Sequence, residues 1–387
     1  MQPMVPWQRP SSAVLRVSRP HLTDRELAYA AEVLRSGWWG YGPVARHLEA
    51  QAAALVGHGR QALAVSSCTS ALHLALVAAG VGPGDEVVVP AITYVATAAA
   101  VLHTGAEPVF ADVDPAMLTL SAATVEPVLG PRTRAIMPVH YAGAGTDFDA
   151  VRALVADRRI AVIEDAAHAL GACRGDGLPV GAAGPFTCFS FAPTKPLASC
   201  SGGLIVFEDA GLAASLASAS CLGLETDTFS RFSGRQLAGQ HVARLGWHYR
   251  ANDVASAVAV AQLERLEEVR TRRASLEAAY RQLLGDLGDV VFLHAPPGGT
   301  PCWYLMSVRV PADRRDRLRL RLSEAGIDSG IHYSSLRRQP LFEGCRGEVP
   351  VAEREAARIL TLPLHEGLTE TDVERVCSVV RAGLAGG

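Results

Sequence analysis

Apolar and polar positions follow two rhythms along this chain. The spacing is helical from Glu26 to Leu34, after Asp24, and again beyond the turn "SGWWGYGP", through His47 to Leu55. From there short apolar runs alternate with helical stretches or Gly/Pro loops. They read "EVVVPA", "PVFADVD", "RAIMPVHY", "IAVIEDAA", "FTCFSF" and "GGLIVFED". Runs that stay apolar without alternation belong to strands covered on both faces, which implies a largely parallel sheet wrapped by helices. The fold class predicted is α/β, doubly wound.

From Asn252 a helical pattern runs to about Leu287, with Leu263, Leu266, Val269, Leu276, Tyr280 and Leu283 on one side. Beyond "APPGGTP" the pattern predicts a strand (Trp303 to Val310), a helix (Arg314 to Ala325) and a strand (Ser329 to Tyr333). Two more helices follow, the last opening with Thr369 and Asp372 in capping-box positions. The expected organisation is an N-terminal arm over 1–23, a large α/β domain over 24–265 and a smaller α+β domain over 266–387.

Composition narrows the function classes. The 387 residues are 49% hydrophobic, enough for a large core and two domains. With a net charge of -3 and scattered arginines there is no basic field for nucleic acid. No uncharged apolar run approaches the roughly 20 residues a membrane helix needs. The first 23 residues hold no Asp or Glu, lack a secretory apolar core and repeat Pro, so a flexible arm is expected there. Eight cysteines without C-x-x-C spacing point to free thiols in a reducing cytoplasm, and no metal site is visible. Arg265, Arg270, Arg272 and Arg273 read as a solvated helix face. Trp38 and Trp39 suit packing and a substrate entrance equally.

One residue stands apart. Of the 36 basic residues only Lys195, in "SFAPTKPLAS", is lysine; the rest are arginine. Arginine supplies charge equally well, but it cannot shed its proton and act as an amine nucleophile. Two other segments carry chemistry. "VSSCTSALHLALVAAG" (Val65 to Gly80) reads as a strand end, a small polar turn and a helix. It suits an ordinary Ser/Thr cap, or a phosphate held by free N–H groups with help from Ser67, Thr69 and Ser70. "VIEDAAHALGA" puts Asp165 at the carboxyl end of a buried strand, where open α/β sheets bind ligands, with His168 one turn on. Asp165 suits a helix cap, a metal ligand or the partner of a protonated ring nitrogen. Taken together, a phosphate cradle, an acid for a ring nitrogen and one lysine able to form a Schiff base are what pyridoxal 5'-phosphate requires.

The chain also resembles the DegT/StrS family of pyridoxal-phosphate sugar aminotransferases, from about Pro20 to the end. The motifs that carry the resemblance are "GWWGYGPVARHLEA", "GDEVVVPAITYVATAAAV", "FADVD", "IEDAAHALGA", "SFAPTK", "GWHYRANDVASAVAVAQLERL", "HYSSLRRQPLF" and "LPLHEGLTETD". The resemblance implies a fold-type-I, aspartate-aminotransferase-like transferase acting as a homodimer with shared active sites. It assigns Lys195 to the cofactor aldehyde, Asp165 to the pyridinium nitrogen and His168 to the neighbouring phenolic oxygen. Tyr94 would stack on the ring, and Ser190, Cys68 and Thr69 would meet the phosphate. His248 would reach the phosphate of the partner subunit, where the family usually has Asn. Trp39, Arg250, Tyr333 and Arg337 are the substrate-side candidates. Other departures are Cys68 for Gly or Ala, "SCSGG" (Ser199 to Gly203) for G-E or G-D before G-G, a lost R-x-H-G pattern at Ser220 to Gly223, and Arg337 for a common His.

The activity implied is transfer of an amino group from L-glutamate or L-glutamine to a keto group on a nucleotide-linked sugar or a cyclitol. A second reading keeps the cofactor but substitutes elimination, decarboxylation or C–C bond chemistry on an amino acid. A third, a non-catalytic binding relative, finds no appended helix-turn-helix or basic face to support it.

Overall fold

The computed structural model describes residues 14–225, 229 and 241–385; residues 1–13 of the expected arm lie outside them. The six apolar runs form β2 (Glu86–Pro90), β3 (Glu107–Ala111), β4 (Thr133–Ile136), β5 (Ala161–Asp165), β6 (Phe186–Ser190) and β7 (Gly203–Phe207), and β1 (Gln61–Val65), read in the sequence only as a strand end at Val65, makes the sheet seven-stranded. Its order is β1-β7-β6-β5-β4-β2-β3. The pairs β2–β3, β2–β4, β4–β5 and β5–β6 are parallel, whereas β7 runs antiparallel to both β1 and β6. Strands β2, β6 and β7 are buried along their whole length, which is why they read as unbroken apolar runs. The sheet is the mostly parallel α/β sheet that the pattern predicts.

Helices α1 (Asp24–Ser36), α2 (Pro43–Val56), α3 (Cys68–Ala78), α4 (Val95–His103), α5 (Ala122–Val125), α6 (Asp149–Leu154), α7 (Ala213–Ala219), α8 (Asp253–Leu263) and α9 (Leu266–Leu284) accompany it. Helix α1 starts two residues earlier than its apolar spacing suggests, because Thr23 and Glu26 form a capping box. Helix α2 has no side-chain cap of its own. Asp253 of α8 supplies one, its carboxylate accepting from the N–H groups of Gly42 (2.9 Å), Val44 (3.2 Å) and Ala45 (3.0 Å). A Cβ at Gly42 would lie 2.5 Å from Trp38 Nε1 and 2.7 Å from Asp253 Oδ2, so only glycine fits this turn.

The pattern that predicts one helix from Asn252 to Leu287 resolves into two. Arg265 leaves the helical region (φ -102°, ψ 8°), and α8 is almost wholly buried whereas α9 is amphipathic. Two of the four arginines expected as a solvated face depart from that reading, whereas Arg270 and Arg272 are half-buried and pair with the exposed Glu267 and Glu370. Arg273 is 1% exposed and donates to the carbonyls of Trp303 (3.3 Å) and Leu364 (3.1 Å) and to Glu366 (3.3 Å). Arg265 is buried too, on Glu268 (2.8 Å). The long stem of Arg273 follows the apolar side of α9, and the fork at its tip finds acceptors inside the protein.

The C-terminal part adds a three-stranded antiparallel sheet, β8 (Val291–Phe292), β9 (Met306–Arg309) and β10 (Ile359–Leu362), in the order β10-β9-β8. Helices α10 (Ala312–Glu324), α11 (Pro350–Ala356) and α12 (Glu370–Ala385) pack with it. Thr369 and Asp372 make the expected capping box before α12. The strand predicted over Ser329 to Tyr333 is reduced to a single bridge between Gly330 and Thr361. Beyond that bridge the chain turns and sends His332 and Tyr333 inward. One apolar cluster runs through both sheets, joining Ile163 and Met137 of the large one to Val308 and Leu360 of the small one.

Candidate active site

Where the carboxyl ends of the central strands meet the small sheet, the fold leaves a cavity of about 480 Å³. Its walls gather Cys68, Thr69, Tyr94, Asp165, His168, Ser190, Lys195 and Tyr333, eight of the residues singled out in the sequence. His248, Trp39, Arg250 and Arg337 lie outside it.

The floor is the start of α3. Ser67 is the N-cap, and its Oγ accepts from the Ser70 N–H (3.1 Å). The next N–H groups, of Cys68 and Thr69, belong to the first turn and have no carbonyl behind them within the helix. They sit at the positive end of the helix dipole, a setting for an anion. The "SCSGG" turn presses on this floor. A Cβ at Gly203 would lie 2.4 Å from the Ser67 carbonyl carbon and 2.5 Å from the Cys68 nitrogen. Ser201 Oγ donates to the Ser66 carbonyl (2.6 Å), so the altered turn is tied to the helix start rather than loosened. Burial pushes the Cys68 thiol well up, with Asp165 and Cys188 adding to the effect, so the thiol is neutral at physiological pH.

Asp165 ends β5 and is 4% exposed. Its Oδ2 accepts from Thr97 Oγ1 (2.7 Å) and its Oδ1 from the Ala167 N–H (3.1 Å). Thr93 Oγ1 lies 2.8 Å from Thr97 Oγ1, extending the hydroxyl chain toward the cavity. Burial raises the carboxyl above its ordinary value, against the pull of those hydrogen bonds and of Lys195. A buried carboxylate of this kind gains from a cation set against it. Glu164, its neighbour on the strand, points to the opposite face and pairs with His140 (3.0 Å) and Arg152 (2.5 Å).

His168 Nδ1 accepts from the Ala142 N–H (3.3 Å), and Nε2 lies 3.2 Å from the Tyr333 hydroxyl. Burial, followed by the nearby Lys195, His332 and His140, holds the imidazole well below its usual range. The ring is therefore neutral, and its single proton sits on Nε2, facing the cavity.

Lys195 closes a turn, its N–H donating to the Ala192 carbonyl (2.9 Å), and its Nζ lies 4.0 Å from the centre of the Tyr304 ring. Tyr304 also meets the Thr194 hydroxyl (3.2 Å) and leans on His168, with ring centres 4.6 Å apart. The exposed Tyr94 ring stands 5.8 Å from that of Tyr333, at the rim. Ser190 Oγ accepts from the Ala192 N–H (3.2 Å) at the end of β6.

Thr97, Tyr304 and His332 complete the cavity or its support but were not marked in the sequence. Thr97, in the first turn of α4, stands four residues beyond Thr93, which precedes the Tyr94 N-cap, and the two hydroxyls meet across that helix start. His332 Nδ1 meets Thr361 Oγ1 (3.0 Å), and burial lowers its imidazole to about 4, with Lys195 as the second cause. Tyr304 carries no local signal, and His332, although it opens the quoted "HYSSLRRQPLF", reaches the cavity through long-range packing of the small sheet.

The remaining candidates lie elsewhere. Trp39 is 57% exposed, with Nε1 on the Leu34 carbonyl (3.1 Å). Arg250 lies over the Tyr41 ring (4.1 Å to its centre) and donates to the Ala217 carbonyl (3.1 Å). Tyr41 in turn donates to Glu49 (3.1 Å), which burial lifts to about 7. Arg337 lines a separate groove with Arg338 and Glu353. His248 is exposed on the segment that follows Trp247.

The chemistry of the donor set fits pyridoxal 5'-phosphate: a helix start for an anion, a buried carboxylate for a cationic ring nitrogen, a neutral N–H donor, and one primary amine. Among the described residues no helix is long and apolar enough to cross a membrane. The family model of the DegT/DnrJ/EryC1/StrS aminotransferase family matches residues 20–381. The chain is 36% identical, over 96% of its length and 98% of the relative's, to the UDP-4-amino-4-deoxy-L-arabinose--oxoglutarate aminotransferase of Shewanella sediminis. It is similar in structure to the aminotransferase TlmJ from Streptoalloteichus hindustanus (37% identity, TM-score 0.88, 95% of this chain and 98% of that one). The putative sugar aminotransferase Spr1654 from Streptococcus pneumoniae, solved in its PLP-form, gives 25% identity and a TM-score of 0.88, over 96% and 98% of the two chains.

Proposed function

The chain belongs to the DegT/DnrJ/EryC1/StrS aminotransferase family, and from that premise we propose that it uses pyridoxal 5'-phosphate to move an amino group from L-glutamate or L-glutamine to a keto group on a nucleotide-linked sugar or cyclitol. The observation that carries the reading is the convergence of the one lysine with Asp165 and His168 in a single cavity. The name of the Shewanella relative, which pairs a UDP-linked amino sugar with oxoglutarate, supports both the acceptor class and glutamate as donor.

When bound, the cofactor supplies an electron sink and carries the amino group between donor and acceptor. The first turn of α3, through the Cys68 and Thr69 N–H groups, holds its phosphate, with Ser190 beside it. Asp165, kept in place by Thr97 and Ala167, holds the ring-nitrogen proton. The neutral His168 donates from Nε2 to the phenolic oxygen, the direction in which it already faces Tyr333. Tyr94 covers the ring from the rim. Lys195 Nζ would hold the aldehyde and, once the donor's amine has displaced it, would be the free base that takes the proton from the donor Cα and returns one to the acceptor carbon. Two copies share their sites, His248 of each meeting the phosphate held by the other. An imidazole N–H can donate to that phosphate in the place of the family's usual Asn amide.

Borohydride reduction with pyridoxal 5'-phosphate tests the assignment, because only one lysine side chain can be labelled. The wild-type protein is expected to yield one reduced adduct, on the peptide holding Lys195, and Lys195→Ala none. L-Glutamate should bleach the visible absorption of the wild type and release 2-oxoglutarate. A wild-type protein that takes no label at Lys195 and leaves glutamate unchanged would refute the proposal.

A further inference from the structure

The segment Trp247–Ala251 lies between two other pieces of the chain. On one side the Trp247 and Tyr249 N–H groups donate to the carbonyls of Ala219 (2.7 Å) and Ser220 (2.9 Å). On the other, the Ser66 N–H donates to the Tyr249 carbonyl (2.7 Å), and Arg250 bridges Val65. The segment is therefore laid against the same turn, Ser66 to Thr69, that opens α3. In extended backbone alternate side chains face opposite ways. Trp247 and Tyr249 turn inward together, their rings stacked at 6.0 Å and 15°, while His248 between them is exposed.

What the two inward rings meet is a buried histidine of α3. His73 is 2% exposed, and its ring packs edge-on against Trp247 (4.7 Å, 78°) and Tyr249 (5.9 Å, 72°), with His103 of α4 beyond it (6.0 Å, 64°). The Tyr249 hydroxyl lies 3.4 Å from His73 Nδ1. Burial, with His103 second, lowers this imidazole to about 4, so it is neutral and Nδ1 is free to accept. A leucine or phenylalanine could fill this volume but could not receive the Tyr249 O–H. Nothing in the reaction at Lys195 uses His73, which packs behind the first turn of α3 rather than in the cavity.

We propose that His73 is a positioning residue: by clamping Trp247 and Tyr249 it fixes the outward direction of His248, and so couples the phosphate turn of one subunit to the phosphate contact it lends to the other. The inference rests on the reading that His248 serves the partner's phosphate. One rigid helix would then set both contributions, the N–H groups at its start and the imidazole presented beside it.

The test compares the affinity of the full-length apoprotein for pyridoxal 5'-phosphate with that for pyridoxal, which lacks the phosphate. His248→Ala should weaken the phosphate form roughly tenfold, the scale of one hydrogen bond to a charged group, and leave pyridoxal unchanged. His73→Leu should reproduce that selective loss, and the double variant should lose no more than His248→Ala alone, because both act on one contact. Tyr249→Phe, which removes only the hydroxyl, is the milder variant should His73→Leu not fold, and a smaller loss of the same selectivity is expected from it. If His248→Ala is selective but His73→Leu and Tyr249→Phe bind both forms normally, or weaken both equally, the clamp is refuted and the reading of His248 stands. If His248→Ala itself shows no phosphate-selective loss, that reading fails and the clamp fails with it.

Discussion

Replacing Asp165 by Asn reverses its effect depending on whether a cationic ring nitrogen faces it. The side chain is 4% exposed, holds the Thr97 hydroxyl at 2.7 Å and the Ala167 N–H at 3.1 Å, and is raised in pKa mainly by burial. Asn keeps the volume and an acceptor for Ala167, and the Thr97 hydroxyl can rotate to accept from the amide. Without the cofactor the substitution removes a charge that burial disfavours. A raised folded-state carboxyl contributes stability that is complete below its unfolded value and lost as pH rises through the folded one. Apo Asp165→Asn should therefore be as stable as wild type at low pH and more stable near pH 7. With the cofactor bound, the same change removes one partner of a buried, hydrogen-bonded charge pair, a loss of about 3–5 kcal/mol. That corresponds to a fall of roughly two to four orders of magnitude in transamination rate. Thermal melts of wild type and variant across pH, with and without pyridoxal 5'-phosphate, combined with single-turnover reaction with glutamate, read both effects. A variant that is destabilised equally in both forms, or that keeps its rate within tenfold, would refute the reasoning.

Two further perturbations probe the frame around the site. Glu49, lifted by burial to about 7 and held by Tyr41 and the Ala64 N–H, should make stability decline as pH rises from about 4.5 through 7. Glu49→Gln should flatten that decline in urea titrations run from pH 5 to 8, and an unchanged slope would show that Glu49 does not titrate there. Gly203→Ala forces a methyl to within 2.5 Å of the backbone at Ser67 and Cys68. An expected cost of about 1–3 kcal/mol in denaturant midpoint should be accompanied by weaker phosphate binding, and a variant normal on both counts would show that the two turns need not touch.

Strands β2 to β7 were legible because they are buried over most of their length, which leaves a nearly uninterrupted apolar record in the sequence, whereas β1 begins exposed and showed only its end at Val65. Asp165 and the start of α3 were legible for a different reason: each sits at a strand end or helix start, where a polar residue interrupts that record, with His168 one turn on, whereas Lys195, in a turn, stood out as the one lysine of the chain. Tyr304 left no such mark, and His332, which opens the quoted "HYSSLRRQPLF", was not singled out there. They reach the cavity only through packing between segments more than a hundred residues apart. The split of the Asn252–Leu287 pattern escaped notice because Leu263 and Leu266 are both buried, so the apolar period passes through a break in the backbone. Arg273 was misread because periodicity records which side a residue faces and not whether its charged end has acceptors waiting.

That misread guanidinium has a bearing on how firmly one wall of the cavity is held. Arg273 holds the carbonyl of Trp303, the residue just before Tyr304, and also the carbonyl of Leu364 and the carboxylate of Glu366. Three anchor points on one planar fork act as a fixed brace between the wall bearing Tyr304 and the body of the protein. The opening across from Lys195 is thus set by the scaffold.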